Sequence, residues 1–126
     1  MMFRSPVKAL GITLALSGAV AAAFTLAASA ACTGNPTAGK AIFATKCVAC
    51  HKADGSGGLK LTGNPTPNWK DPKTWADPKR KDVDAYLRDC ITNGKIKSGM
   101  VAWGKTAQLK PAQIEDAIAF IKTFKK

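Results

Sequence analysis

Three stretches of this chain repeat their apolar residues at the three- and four-residue spacing of a helix buried along one face. In the first, Gly39, Phe43 and Cys47 fall four apart on one stripe, with Thr37 as the expected N-cap and residues 47–51 as the end. The second follows Asp77-Pro78: Val83, Tyr86, Leu87, Cys90 and Ile91 recur on one side, charged residues occupy the other, and Asn93-Gly94 supplies the stop. The third begins at Pro111, a residue suited to a first helical turn, and runs to about Thr123 with Ile114, Ala117, Ile118 and Ile121 on one face and Phe120 beside them. Between the first two, residues 52–77 carry Gly55-Ser56-Gly57-Gly58, then Asn64-Pro65-Thr66-Pro67-Asn68, then Pro72, with Pro78 just beyond. That composition forbids long regular elements and predicts a wrapping loop, with Leu59, Leu61, Trp69 and Trp75 as the apolar residues it can fold inward. No run alternates as a strand would, so the pattern predicts an all-α domain.

The amino-terminal pattern is of another kind. Arg4 and Lys8 precede an almost unbroken apolar run over residues 9–26, and Ala28-Ser29-Ala30 places small residues where a signal peptidase reads. Residues 1–30 are therefore expected to be a cleaved signal peptide, the rival being an uncleaved anchor. Residues 31–126 then form one small domain with room for only a modest core. Setting Arg4 and Lys8 aside leaves 17 Lys and Arg against 8 Asp and Glu, a net charge of +9. Such a surface suits steering toward an acidic partner or an anionic membrane surface, or simply solubility. Nucleic acid is excluded as a partner, because the charge is spread along the chain and no binding motif accompanies it.

The densest chemistry lies in Cys47-Val48-Ala49-Cys50-His51, which contains the chain's one histidine. On a helix the two thiols stand about a turn apart, placed to add to two vinyl groups along one haem edge, with an imidazole next to them for the iron. Past residue 30 the only methionine is Met100, which makes His51 and Met100 the candidate axial ligands; a lysine is the fallback for the second. A thioredoxin-type site lacks its βαβ surroundings, and a zinc site shared with Cys90 lacks a second close pair of ligands. Cys32 and Cys90 remain. In an oxidising compartment they are candidates for a disulfide, Cys90 alternatively being a buried small hydrophobe and Cys32 a lipid-attachment point without the usual preceding leucine. Trp69, Trp75, Tyr86 and Trp103 are the expected pocket walls.

With these parts in this order, the chain resembles the class I c-type cytochromes, small monohaem electron carriers. The resemblance rests on Gly39-x-x-x-Phe43 ahead of Cys47-x-x-Cys50-His51, the glycine-rich stretch after it, the segment Gly99-Met100-Val101-Ala102-Trp103-Gly104 and a closing helix around Ile118 and Phe120. It implies a globule of three to five helices around one covalent haem c, with Cys47 and Cys50 as attachment points, His51 proximal to the iron and Met100 distal. The first and last helices should cross where Gly39 and Phe43 meet Phe120. Two departures stand out. Val101 replaces the proline that often follows the ligand methionine, leaving that loop less restrained, and Gly57-Gly58-Leu59 replaces a proline-containing stretch, so that Gly58 or Leu59 is expected to offer the carbonyl for the proximal imidazole N–H. The implied role is a soluble periplasmic shuttle of single electrons, without stable membrane insertion after signal cleavage. Lys46, Lys52, Lys95, Lys97 and Lys105 would form a basic rim facing acidic redox partners. The alternatives are a haem subunit of a larger oxidoreductase, or a gas-binding or enzymatic haem protein. An enzyme is disfavoured, since no second histidine exists to serve as acid or base.

Overall fold

The computed structural model describes residues 31–126, and the expected signal peptide lies outside them. Five α-helices follow in order: α1 Pro36–Lys46, α2 Val48–His51, α3 Pro72–Ala76, α4 Val83–Asn93 and α5 Pro111–Lys122. Single 3-10 turns occupy Pro78–Arg80 and Ile96–Ser98. Among the described residues the only β pairing is an isolated antiparallel bridge between Lys95 and Met100, so the all-α expectation holds.

Helix α1 starts two residues earlier than Thr37 suggests. Asn35 is the N-cap, its side-chain oxygen accepting from the Thr37 and Ala38 N–H groups at 2.8 and 3.3 Å. Pro36, with no N–H to satisfy, takes the first helical position and moves the cap back. The helix breaks at Cys47, and α2 carries the rest of the attachment motif. Two boundaries match the pattern: Gly94 ends α4 at φ 70° and Pro111 opens α5, whereas α4 starts only at Val83, capped by Asp82, because Pro78–Arg80 forms a separate 3-10 turn.

The core forms where α1 crosses α5. A Cβ added to Gly39 would lie 1.9 Å from the Asp116 carbonyl oxygen, so only glycine permits this approach. Phe43 packs edge-on against Phe120 and Phe124, with ring centroids 5.2 and 5.5 Å apart. Ala117 and Ile118 are fully buried beneath them. Helix α4 completes this layer with Leu87 and Ile91, and is tied to α5 by Lys122–Asp84 at 2.7 Å and by a two-pronged Arg88–Glu115 pair. The segment before α1 closes the same seam: the Cys32 N–H donates to Asp84 at 2.8 Å and the Asn35 N–H to Asp116 at 2.7 Å.

Residues 52–77 do wrap the molecule, and they include the short helix α3. Trp69 and Trp75 turn inward, the Trp75 indole N–H donating to the Trp69 carbonyl at 2.7 Å. Leu59 and Leu61 stay largely on the surface, 38% and 54% exposed, although Leu61 also borders the small hollow beside Cys47 and Cys50. The loop folds back on itself there, through Gly58 N–H to Thr66 O and Thr66 N–H to Leu59 O, which leaves both leucines on the outside of the turn.

Candidate functional site

A cavity of about 350 Å³ opens between the end of α1, the wrapping loop and the buried face of α4. Its walls include Phe43, Cys47, His51, Trp69, Tyr86, Leu87 and Met100, so residues 53 positions apart in sequence meet across one space. A smaller hollow of about 70 Å³ shares part of this lining and is bounded by Cys47, Cys50, His51, Leu61, Met100 and Trp103. Four expected site residues, Cys47, Cys50, His51 and Met100, thus border the smaller hollow, and three of them, Cys47, His51 and Met100, line the larger cavity as well. Of the four expected aromatic walls, Trp69 and Tyr86 face the larger space and Trp103 the smaller, while Trp75 backs Trp69 with ring centroids 5.1 Å apart.

Local structure sets each group. Cys47 sits at the joint between α1 and α2, and burial followed by the neighbouring Cys50 pushes its thiol up to about 11, keeping it neutral. Burial also lowers the His51 pKa, so the imidazole is neutral and its lone pair is free for a metal. Thr66, a residue no sequence signal had marked, braces the motif: its hydroxyl donates to the Cys50 carbonyl at 2.9 Å, and the Gly57 N–H donates to the His51 carbonyl. Met100 is presented by a closed turn in which Lys95 and Met100 exchange both backbone hydrogen bonds at 3.1 Å. The turn is made possible by positive φ at Gly94 and Gly99.

Two expectations are corrected here. Neither Gly58 nor Leu59 takes the His51 N–H: the Leu59 carbonyl receives Thr66, and His51 Nδ1 is buried with no hydrogen-bond partner. Nor are Cys32 and Cys90 joined; both are free thiols. Cys32 lies on the α4–α5 seam, its Sγ donating to the Glu115 carbonyl at 3.3 Å, whereas Cys90 lines the cavity on the other face of α4. The inward turn of the Cys32 sulfur also disfavours it as a point of lipid attachment.

An apolar cleft bordered by two thiols a helical turn apart, a neutral imidazole and a thioether, with two buried polar nitrogens left unpaired at His51 Nδ1 and Arg80 Nε, fits a flat apolar cofactor with a metal at its centre and polar groups at its edge. That donor set matches haem held through sulfur.

Fold and site together define a c-type cytochrome domain. The family described as cytochrome c oxidase, cbb3-type, subunit III matches residues 34–121, and the chain belongs to it. Comparison with curated proteins and with solved structures yields no match. Family membership implies covalently bound haem and makes electron transfer, with redox partners, the general role of the domain. No helix among the described residues is long and apolar enough to cross a membrane.

Proposed function

We propose that the chain is a soluble periplasmic carrier of single electrons, holding one haem c through Cys47 and Cys50, with His51 and Met100 as axial ligands. The observation that carries this reading is the meeting of a half-buried, neutral His51 and Met100 on the walls of one apolar cavity, with Cys47 beside them and Cys50 on the adjoining hollow. Haem iron, when bound, supplies a one-electron couple at a site whose ligands need not change. The chain's part is to exclude water with Phe43, Trp69 and Leu87, to keep the imidazole unprotonated by burial, and to hold the thioether on a braced turn. A thioether ligand favours ferrous iron and leaves no coordination position for substrate, which is why the role is transfer and not catalysis.

Mass spectrometry should find one haem retained on the chain after acid-acetone extraction. Met100→Ala should lower the reduction potential and admit carbon monoxide to the ferrous protein. Rapid carbon monoxide binding by the unmutated protein would replace this reading with a gas-binding or enzymatic one.

Exposed Lys52, Lys97 and Lys105, together with Lys46, whose ammonium lies 5.2 Å from the Trp103 ring, give the partner-facing side its charge. Lys95 contributes less, being paired with Asp89 at 3.3 Å. Electron transfer to an acidic partner should therefore slow as salt screens charge over about 8 Å at physiological strength. A salt-independent rate would point to apolar docking, for which exposed Leu61 and Val101 are available. The family's description favours a second reading, a haem subunit of a larger oxidase. Isolation of the native protein as a stable complex with other subunits would establish it in place of the free shuttle.

A further inference from the structure

A groove of about 640 Å³ lies between the end of α3, the start of α4 and the end of α5, and it shares no lining residue with the cavity or the hollow described above. Its floor is apolar, made by buried Trp75 and half-buried Val83. Its rim is charged, with Lys81, Lys122 and Lys125 set against Asp82 and Asp84. These charges are not equally engaged. Asp84 accepts from Lys122 at 2.7 Å and from the Cys32 N–H at 2.8 Å, and Asp82 accepts from the Ala85 N–H at 3.0 Å as the cap of α4. The ion pairs among the described residues include neither Lys81 nor Lys125. Both are exposed, and the Lys125 ammonium lies 5.9 Å from the centroid of the Trp75 ring, a contact that orients the cation without neutralising it.

With the groove's carboxylates bound inside the chain and two of its ammonium groups unpaired, the rim is complementary to an anion. The concave shape decides between anionic partners. A membrane surface is flat and is gripped by apolar side chains that project into it, whereas here the apolar groups lie at the bottom of a groove. We propose that this groove is a docking port for an acidic segment of a partner protein, with carboxylates on Lys81 and Lys125 flanking an apolar side chain seated on Trp75 and Val83. Resting on the electron-carrier reading given above, that partner is a redox protein. None of the lysines of the basic rim around the attachment motif and Met100 lines the groove, so a donor and an acceptor need not compete for one surface. The port is also joined to the interior: the Trp75 indole donates to the Trp69 carbonyl, and Trp69 borders the large cavity.

The test is an NMR titration of the ¹⁵N-labelled holoprotein with an acidic peptide, a leucine flanked on each side by glutamates. Amide signals of residues 75, 81–84 and 122–125, and the Trp75 indole N–H, should shift together and approach saturation at millimolar peptide. Lys81→Glu combined with Lys125→Glu should weaken this binding by about tenfold or more. Lys40→Glu combined with Lys60→Glu, an equal change of net charge outside the groove, should weaken it by about twofold at most. Should the first pair not fold, Lys81→Gln combined with Lys125→Gln takes its place and should still bind more weakly than the second pair. An absence of shifts at the groove residues, or equal losses from both pairs, would overturn the proposal. So would vesicles of phosphatidylglycerol that move these signals when the peptide does not, which would make the groove a membrane contact. A chain that binds the peptide at the groove but carries no covalent haem is a different result: the port stands, and the electron-carrier reading falls.

Discussion

The α1–α5 crossing and the irregular wall made by residues 52–77 and 94–104 enclose one cavity by different means. The crossing is closed by side chains touching side chains: Gly39 on the Asp116 backbone, Phe43 in a triangle with Phe120 and Phe124, Ala117 and Ile118 with no exposure at all. The loop wall is held by turn hydrogen bonds and by positive φ at Gly55, Gly57, Gly58, Gly94 and Gly99, with Trp69 and Trp75 as its main apolar anchors. Close packing stabilises the first region whether or not the cavity is filled, because its contacts are internal. The second has little core of its own and gains its apolar contacts from whatever it encloses.

The sharpest way to break that contrast is at the crossing. Phe43→Ala removes a ring that is 2% exposed and should cost about 3–5 kcal/mol in denaturant unfolding of the holoprotein. Gly39→Val should cost about 1–3 kcal/mol or more, since the Asp116 carbonyl cannot yield without moving α5. Losses well under 1 kcal/mol from both would mean that the crossing is not the anchor.

A second experiment addresses the loop wall. Replacing both Cys47 and Cys50 by serine should remove the covalent attachment proposed for them while leaving the contacts between α1 and α5 in place. Amide exchange should then speed up throughout 52–77 and 94–104, with residues of α1 and α5 keeping the slowest exchange in the chain. Uniform loss of protection would show one cooperative unit in place of two.

A smaller effect comes from the α4–α5 joint. The two-pronged hydrogen bond from Arg88 holds the Glu115 carboxyl below its ordinary value, the guanidinium charge adding to it. A folded-state pKa that is depressed contributes stability above the unfolded value near 4.3, and the contribution is lost as pH falls through the lower folded value. Glu115→Gln should therefore cost no more than about 1 kcal/mol at neutral pH, the pair being partly solvated, and should flatten the acid limb of the stability profile. An unaltered acid limb would assign acid unfolding to other carboxylates.

The two regions also differ in how far the sequence reveals them. Helices α4 and α5 are legible because Asn93-Gly94 and Pro111 act locally, through φ preference and the missing proline N–H. Gly39, Phe43 and Phe120 are legible through resemblance, which already pairs them. The four residues around the cavity are legible by chemical type, since histidine, the thiol pair and methionine past residue 30 are each scarce. What spacing does not carry is direction. Cys90 follows Arg88 by two positions, which on a helix turns it to the opposite face, into the cavity and away from Cys32. Thr66 and Arg80 sit among loop residues of similar type, and only the folded chain shows one bracing Cys50 and the other with an unpaired buried nitrogen.

The finest probe of the contrast lies at the residue that joins the attachment motif to the loop wall. Lys52 follows His51 directly and adopts φ 59° and ψ 155°, a combination that glycine tolerates and a side chain with Cβ does not. That strain falls on the loop side, and the crossing has no counterpart to it: among the described residues the only other non-glycine with positive φ is Ala107. Lys52→Gly should relieve it, and after the added freedom of glycine in the unfolded chain is subtracted, the net gain should be about 1 kcal/mol. Loss of a lysine from the basic rim complicates the comparison, so Lys52→Ala serves as the control, removing the charge but keeping the strained Cβ. If the conformation is strained, the glycine variant will unfold at higher denaturant than both the alanine variant and the parent; equal midpoints for glycine and alanine would show that the bonds around His51, from Gly57 N–H and from Lys52 N–H to Val48, hold this turn without stored strain.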